Sequence, residues 1–276
     1  MAEPGSGMKP LRALPVAARR RLRVLLTDID GTITDGTRVP AAAYSALEAL
    51  RASGLIVIPV TGRPAGWCDM IARSWPVDGV VGENGALWFR YDAKRRRMER
   101  HYWLSAPERA AARRRLVRLE RKILGAVPGA ALAADQPYRE VDLAIDISED
   151  VRPLGPKAVA RILTLFENAG ARAKLSSIHV NGWFGDFDKL AMTRRLLAEG
   201  FGIDADKARD KILFVGDSPN DAPMFAHFPL SVGVANICDF SGRLEAEPGF
   251  VTRRTGAAGF AELGRALLAA RRVRRS

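Results

Sequence analysis

The sequence predicts an α/β fold built on a parallel sheet, and three features indicate it. Short apolar runs recur along the chain and end abruptly in small or acidic residues, as buried parallel strands do. Segments with helical spacing separate these runs, so strands and helices alternate. A central stretch of roughly 95 residues instead mixes hairpins and helices. We therefore predict a core domain of residues 22–86 and 186–276, with an α+β domain inserted at residues 87–185.

Composition is that of a soluble globular protein. The 276 residues are 47% hydrophobic and 27% charged, which allows one large or two modest domains. The two cysteines, Cys68 and Cys238, provide no disulfide framework and indicate a reducing compartment. No apolar stretch approaches the about 20 residues of a membrane span, and the patch at residues 13–18 is too short for a signal segment. The cytoplasm is the expected location.

The net charge of +12 could attract nucleic acid or anionic lipid. However, the basic clusters at residues 94–97, 113–115 and 271–275 are scattered, lack interleaved aromatic residues and match no nucleic-acid module. We interpret them as solvated faces and tails, and no nucleic-acid or membrane partner is expected. Residues 1–21 combine prolines, glycines and basic residues without apolar periodicity, which predicts a flexible basic arm.

Two acidic residues follow the first predicted strand directly. The run RVLLT at residues 23–27 reads as a buried strand, and DIDGT follows at residues 28–32. If the extended geometry continues, Asp28 and Asp30 share one face, and Gly31 lets the backbone turn close to whatever they hold. An N-cap or Asx-turn aspartate would account for only one of the two. The pattern therefore indicates a reactive pair at a strand tip.

A second polar segment follows the next strand. A helix is predicted at residues 40–52, with proline at its start, and a strand at residues 55–60 ends in Thr61-Gly62-Arg63-Pro64. A strand-helix-strand unit gives parallel neighbours, so Asp28 and Thr61 are expected at the same carboxyl edge, where ligands bind. Thr61 could instead cap the next helix, at residues 64–73. A third strand at residues 79–81 leads into Gly82-Glu83-Asn84-Gly85.

The inserted stretch alternates strands and helices. Strands are predicted at residues 87–91, 98–104, 141–147 and 173–180, and helices at residues 107–124 and 156–168. Trp183, Phe184 and Phe187 mark the return to the core, and packing is the expected role of at least two of them.

Two further polar segments lie in the second half of the core. Lys189 opens a helix after Asp188, and GDSPND at residues 216–221 follows the strand at residues 211–215. Asp217 and Asp221, four residues apart, suit a hard divalent cation, although Asn220 or Asp221 could instead cap the next helix. A strand at residues 231–234 and a helix at residues 259–272 complete the predicted core.

These four polar segments, in this order, resemble the four motifs of the haloacid dehalogenase superfamily. The similarity is closest to the type IIB, Cof-like branch, which includes sucrose-phosphate and other sugar-phosphate phosphatases. It implies a Rossmann-like parallel sheet core, an inserted α+β cap domain and a magnesium-dependent phosphatase. By this resemblance Asp28 is the nucleophile that forms an aspartyl phosphate, and Asp30 protonates the leaving alcohol and then deprotonates water. Thr61 and Lys189 would hold the phosphoryl oxygens.

The resemblance also implies a metal site and a substrate site. Magnesium would be held by Asp28, the backbone carbonyl of Asp30, Asp217 and Asp221. The residues expected to contact substrate are Gly62, Arg63, Asn84, His179, Asn181 and Asn220. A small sugar phosphate is the expected substrate. A phosphomutase of the same superfamily is the alternative, and a non-catalytic nucleic-acid-binding protein is a further one.

Overall fold

The computed structural model describes residues 7–176 and 178–272. The strands are β1 (Lys9–Pro10), β2 (Val24–Thr27), β3 (Ile56–Pro59), β4 (Val80–Gly82), β5 (Leu87–Asp92), β6 (Arg97–Tyr102), β7 (Ala131–Leu132), β8 (Leu143–Asp146), β9 (Arg172–Leu175), β10 (His179–Trp183), β11 (Ile212–Gly216), β12 (Leu230–Gly233) and β13 (Phe250–Val251). The helices are α1 (Val16–Arg21), α2 (Ala41–Ala52), α3 (Ala65–Ser74), α4 (Ala106–Ala126), α5 (Pro156–Asn168), α6 (Lys189–Phe201), α7 (Ala222–His227) and α8 (Gly256–Arg272).

A parallel six-stranded sheet forms the core, with strand order β1-β13-β12-β11-β2-β3. Strands β2 and β11 are fully buried because their apolar side chains pack against helices on both faces. Each of these two strands is followed directly by an aspartate. The predicted Rossmann-like parallel core is confirmed, and it brings the acidic segments to the same edge.

The inserted domain is an antiparallel sheet of order β7-β8-β10-β9 with α4 and α5 on one face. Leu143, Ile145 and Val180 pack against these helices. Their neighbours in sequence, such as Asp142 and Asn181, lie on the opposite face because strand residues alternate. The insert therefore presents a polar sheet face to the core.

The hairpin β5–β6 was predicted within the insert but packs with the core. Strand β5 pairs antiparallel with β4, and Leu87, Trp88 and Phe89 are buried in the two core clusters. The reason is the turn at residues 83–86, which folds the chain back onto β4. The structural insert thus begins beyond β6, later than the predicted boundary at residue 87.

The strand predicted at residues 173–180 is in fact a hairpin of β9 and β10. The backbone N–H of Ser176 donates to the carbonyl of His179, and the Ser176 hydroxyl accepts from the backbone N–H of His179. A serine side chain stabilises this turn, and no glycine, proline or asparagine marks it in the sequence. The apolar pattern therefore reads as one continuous strand.

Residues 8–21 also differ from the flexible arm that the sequence predicts. Strand β1 pairs with β13, and Met8, Leu11, Leu14 and Ala18 are buried. Met8 precedes β1, Leu11 and Leu14 lie in and next to a single 3₁₀ turn, and Ala18 lies in α1. Met8, Leu11 and Leu14 belong to the core clusters. Residues 1–6 of the arm and residues 273–275 of the C-terminal basic cluster lie outside the described residues. Among the described helices, none is both long and apolar enough to cross a membrane.

Candidate active site

The ends of β2 and β11 place two aspartates side by side. Asp28 follows β2 and Asp217 follows β11, and these neighbouring strands run parallel. The backbone N–H of Asp28 donates to the carbonyl of Val215 at 2.8 Å. The hydrogen bonding between β2 and β11 therefore extends as far as this aspartate. Because the carboxyl ends of parallel strands share one edge, acids far apart in sequence converge here.

Lys189, the first residue of α6, contacts one carboxylate of the first motif and one of the fourth. Its Nζ donates to Asp28 Oδ1 at 2.8 Å and to Asp221 Oδ1 at 2.7 Å, and its side chain is 1% exposed. Burial opposes the charge, but the two carboxylates outweigh it and raise the pKa of Lys189 above its usual value. The α6 N-cap, Asp188, accepts a hydrogen bond from the backbone N–H of Ala191 and compensates for a lysine at a helix start.

Three buried carboxylates form a candidate cation site. Asp28, Asp217 and Asp221 each offer an oxygen within 4.8 Å of the others. Asp217 Oδ1 is buried and has no hydrogen-bond partner among the described residues, whereas its Oδ2 accepts from Asn236 Nδ2 at 2.8 Å. This orphaned oxygen and the all-oxygen donor set fit a hard cation such as Mg²⁺.

The electrostatics of these carboxylates agree with that fit. Burial raises the pKa of Asp28 to about 7; Lys189 opposes the shift, and Asp221 and Asp30 add to it. Burial and the neighbouring Asp28 also raise the pKa of Asp217 well above its usual range. Without a further positive charge, ionised carboxylates this close together repel one another.

The second motif supplies donors beside this cluster. Thr61 is fully buried, and its Oγ1 accepts from the backbone N–H of Arg63 at 3.0 Å, so its hydroxyl proton remains free to donate. A Cβ at Gly62 would lie 3.1 Å from Asn84 Nδ2. That amide nitrogen is buried and has no acceptor among residues 7–176 and 178–272, while Asn84 Oδ1 accepts from Asn220 Nδ2 at 3.3 Å. Unsatisfied donors of this kind suit the oxygens of a bound anion.

Asp30 has a partner that the sequence did not predict. Arg63 Nε lies 2.9 Å from both carboxylate oxygens of Asp30, and Arg63 Nη2 lies 2.7 Å from Oδ1. This contact fixes the orientation of Asp30, which lies outside the carboxylate cluster. Both Asp28 and Asp30 nevertheless line one narrow cavity of about 10 Å³.

Glu149 of the inserted domain extends this ion pair. Arg63 Nη2 donates to Glu149 Oε1 at 2.8 Å, and His179 Nε2 lies 2.9 Å from Glu149 Oε2. Burial raises the pKa of Glu149, but His179 and Arg63 outweigh that effect and lower it to about 2. No sequence signal identified Glu149, since a single acid in a loop resembles any solvated one.

A second buried network involves Arg139, which sequence reasoning also missed. Its guanidinium donates to Asp135 at 2.8 Å, to Asp142 at 3.0 Å and to the carbonyl of Gly62 at 2.8 Å. Asn181 Nδ2 donates to Asp142 at 2.9 Å. The alternation at residues 141–147 was the available signal, because it places Asp142 on the face opposite Leu143.

A wider cavity, of about 480 Å³, shares Asn220 with the narrow one. Asn84, Lys189 and Asn220 line it from the core, and Lys174 and Trp183 line it from the insert. The predicted substrate residues thus divide between the two cavities: Gly62, Arg63, His179 and Asn181 line the narrow one, Asn84 lines the wide one, and Asn220 lines both.

Comparisons with known proteins agree with this geometry. Residues 25–106 match the family model of haloacid dehalogenase-like hydrolases. A phosphoglycolate phosphatase of Methanoculleus marisnigri is 35% identical over 71 residues, which is 25% of this chain and 30% of that protein's length. The C-terminal domain of C. albicans trehalose-6-phosphate phosphatase has a similar structure, with a TM-score of 0.69, 14% identity and coverage of 97% of this chain and 99% of that one. A sugar phosphatase of haloacid dehalogenase subclass IIB gives a TM-score of 0.56, 16% identity and coverages of 88% and 96%.

The superfamily resemblance predicted from the motifs is therefore confirmed. The structural similarities establish the fold, and the family match covers the first two motifs. The third and fourth motifs lie beyond the matched residues. Their place in the site rests on the contacts of Lys189 with Asp28 and Asp221.

Proposed function

We propose that this protein is a magnesium-dependent phosphatase that hydrolyses a small phosphate monoester, a sugar phosphate, through an aspartyl phosphate. The observation that carries the proposal is the contact of one buried ammonium, Lys189, with both Asp28 and Asp221. The family match and the phosphoglycolate phosphatase relative support phosphate-ester hydrolysis. The sugar phosphatases of the same fold support the substrate class.

Each proposed chemical role follows from a group in the site. Asp28 attacks phosphorus, its bond to phosphorus forms and the bond to the leaving oxygen breaks. Asp30 gives a proton to that oxygen after its carboxylate has left the ion pair with Arg63, which binds both of its oxygens in the structure, and has taken up a proton from water. Water then attacks phosphorus, its proton passes to Asp30, and the bond between Asp28 and phosphorus breaks to release phosphate.

Positive charge and donors stabilise the equatorial oxygens. Lys189, the Thr61 hydroxyl and the Asn84 amide are the candidate donors of this chain. Mg²⁺ would be held by Asp28, Asp217 and Asp221, with the carbonyl of Asp30 as a further predicted ligand, and it would supply charge neutralisation for the phosphoryl group.

Phosphate release from a panel of sugar monophosphates, phosphoglycolate and an aryl phosphate tests this function. Wild-type protein should release phosphate, and analysis of the sugar product separates hydrolysis from the transfer that a phosphomutase would catalyse. Asp28→Asn should fold and lose about 10³-fold or more in turnover, because an amide is not a competent nucleophile. The exposed Asp210→Asn is the matched control. Turnover by Asp28→Asn within a few-fold of wild type would refute the assignment.

A further inference from the structure

Glu83 is a fully buried carboxylate in the turn between β4 and β5. Its backbone has a φ of 45°, and Asn84 follows with a φ of 54°. Two successive residues other than glycine in the left-handed region are uncommon, and such strain persists only where surrounding contacts hold it. The contacts of the Glu83 side chain supply that restraint.

The carboxylate accepts four backbone hydrogen bonds, and they come from both parts of the molecule. Oε1 accepts from the N–H groups of Ala65 and Glu140, each at 2.9 Å. Oε2 accepts from those of Val141 at 2.7 Å and Asp142 at 3.1 Å. Ala65 begins α3 of the core, whereas residues 140–142 belong to the insert. One side chain therefore fastens the insert to the core.

Residues 140–142, whose N–H groups donate to Glu83, lead directly to the polar face over the site. Arg139, next to it, donates to the carbonyl of Gly62 at 2.8 Å. Asp142, at its end, accepts from Asn181 at 2.9 Å. On the core side, the same turn carries Asn84 and its unsatisfied amide. Movement of the Glu83 carboxylate would thus displace groups on both walls of the site.

A buried carboxylate is a costly means of filling space, so packing alone does not account for Glu83. Burying a charge is unfavourable unless hydrogen bonds compensate for it, and an apolar side chain of similar size would avoid the penalty. An apolar residue would, however, leave four N–H groups without an acceptor. Burial and the neighbouring Asp142 raise the pKa of Glu83 to about 7, while Arg139 and the N–H groups of Glu140 and Ala65 oppose the shift. The position therefore requires an acceptor that reaches both parts at once.

We propose that Glu83 is a positioning residue that docks residues 140–142 onto the core and thereby sets the substrate selectivity of the site. The docking is independent of the reaction, while the selectivity rests on the proposed phosphatase function. Glu83 itself does not touch the reacting atoms.

Hydrogen exchange of wild-type protein and Glu83→Gln tests the docking. Glutamine has the same size, but its amide nitrogen would face two of the four N–H groups as a second donor. The amides of residues 140–142 should exchange about tenfold or more faster, with those of β2 and β11 unchanged. In wild type these three amides should exchange as slowly as those of β8. This measurement tests whether residues 140–142 are docked even if the variant fails to fold.

Asp146→Asn is the matched control. Asp146 is also a buried carboxylate that accepts three backbone hydrogen bonds, but all come from residues 148–150 of the insert itself. Its substitution should speed exchange at residues 148–150 and leave residues 140–142 unchanged. Unchanged exchange at residues 140–142 in Glu83→Gln, or fast exchange there in wild type, would overturn the docking.

The selectivity is tested by kinetics on two substrates. In Glu83→Gln, kcat/KM for a sugar phosphate should fall about tenfold more than kcat/KM for p-nitrophenyl phosphate. Equal losses on both substrates would show that Glu83 is merely structural. If wild type hydrolyses neither substrate, the proposed function fails, and the exchange result still decides the docking.

Discussion

Lys189 Nζ lies 2.8 Å from Asp28 Oδ1, although 161 positions separate these residues in the sequence. Both side chains are almost fully buried, so the contact is not a surface ion pair. Breaking a buried pair from one side leaves an uncompensated charge, which is more damaging than the loss of an exposed one. The stability of the protein and its proposed chemistry therefore depend on the same ammonium group.

Lys189→Met should lower the free energy of unfolding by about 3 kcal/mol and reduce turnover by about 10²-fold or more. Asp28 and Asp221 would then repel each other without a counter-charge, and a phosphoryl group would lose a cation. Urea unfolding and phosphate release measure the two effects. Lys211→Met, at an exposed position, is the control, and a Lys189→Met protein as stable as this control would contradict the prediction.

Mg²⁺ should stabilise the folded protein, because it neutralises carboxylates that otherwise repel one another. At 100 times its Kd, a ligand that binds only the folded state adds about 2.7 kcal/mol, which appears as a rise in Tm. Asp217→Asn should lose most of this rise, and Asp210→Asn should keep it. Turnover should cease in excess chelator and return with added Mg²⁺. Full turnover in chelator, or an equal rise in Tm for Asp217→Asn, would rule out the proposed metal site.

The positions of Asp28, Thr61 and Asp217 can be predicted from the sequence because the strands that precede them are unambiguous. Strands β2, β3 and β11 are continuous apolar runs, and each ends in a polar segment that parallel pairing brings to one edge. Lys189 opens a helix and was assigned to the same site by the superfamily resemblance, and the structure brings it into contact with Asp28. The substrate roles of the remaining residues stay predictions.

The contacts between insert and core could not be predicted in this way. Arg63 and Glu149 are 86 positions apart, and no periodic pattern relates them. Glu83 looks like an ordinary turn residue, because the four N–H groups that it accepts become neighbours only after both parts have folded. Isolated charges in loops are usually solvated, so a reading of one sequence assigns them to the surface.

The ion pair of Glu149 gives a prediction for low pH. Its pKa in the folded protein, about 2, lies below the ordinary value of 4.5. Ionised Glu149 therefore stabilises the fold above about pH 4.5, and this stabilisation is lost as pH falls toward 2. Glu149→Gln should reduce the free energy of unfolding by about 2 kcal/mol at neutral pH, and its deficit should shrink in acid.

Urea unfolding at about pH 6 and about pH 3 measures the change. The exposed Glu48→Gln is the control and should match wild type at both values. The difference in free energy of unfolding between wild type and Glu149→Gln should be smaller at the lower pH. A difference that stays constant, or that grows in acid, would show that Arg63 and His179 do not hold this carboxyl ionised.

Selectivity among substrates should depend on the polar face of the insert. His179 and Asn181 alternate on β10 and line the narrow cavity with Asp28 and Asp30. Because the proposed catalytic groups would contact only the phosphoryl group, we expect these side chains to contact the leaving alcohol. His179→Ala and Asn181→Ala should each reduce kcat/KM for sugar phosphates about tenfold more than kcat/KM for an aryl phosphate, the effect of losing about one hydrogen bond to substrate.

Lys157→Ala controls for general effects on the insert. Lys157 is exposed on α5, and that helix packs on the opposite face of the sheet. The ranking of sugar phosphates should therefore change in the two β10 variants and stay fixed in this one. Since Asn181 also donates to Asp142, hydrogen exchange at residues 140–142 separates lost substrate contact from a displaced insert. Equal losses on every substrate, with exchange unchanged, would show that the polar face does not select the leaving group.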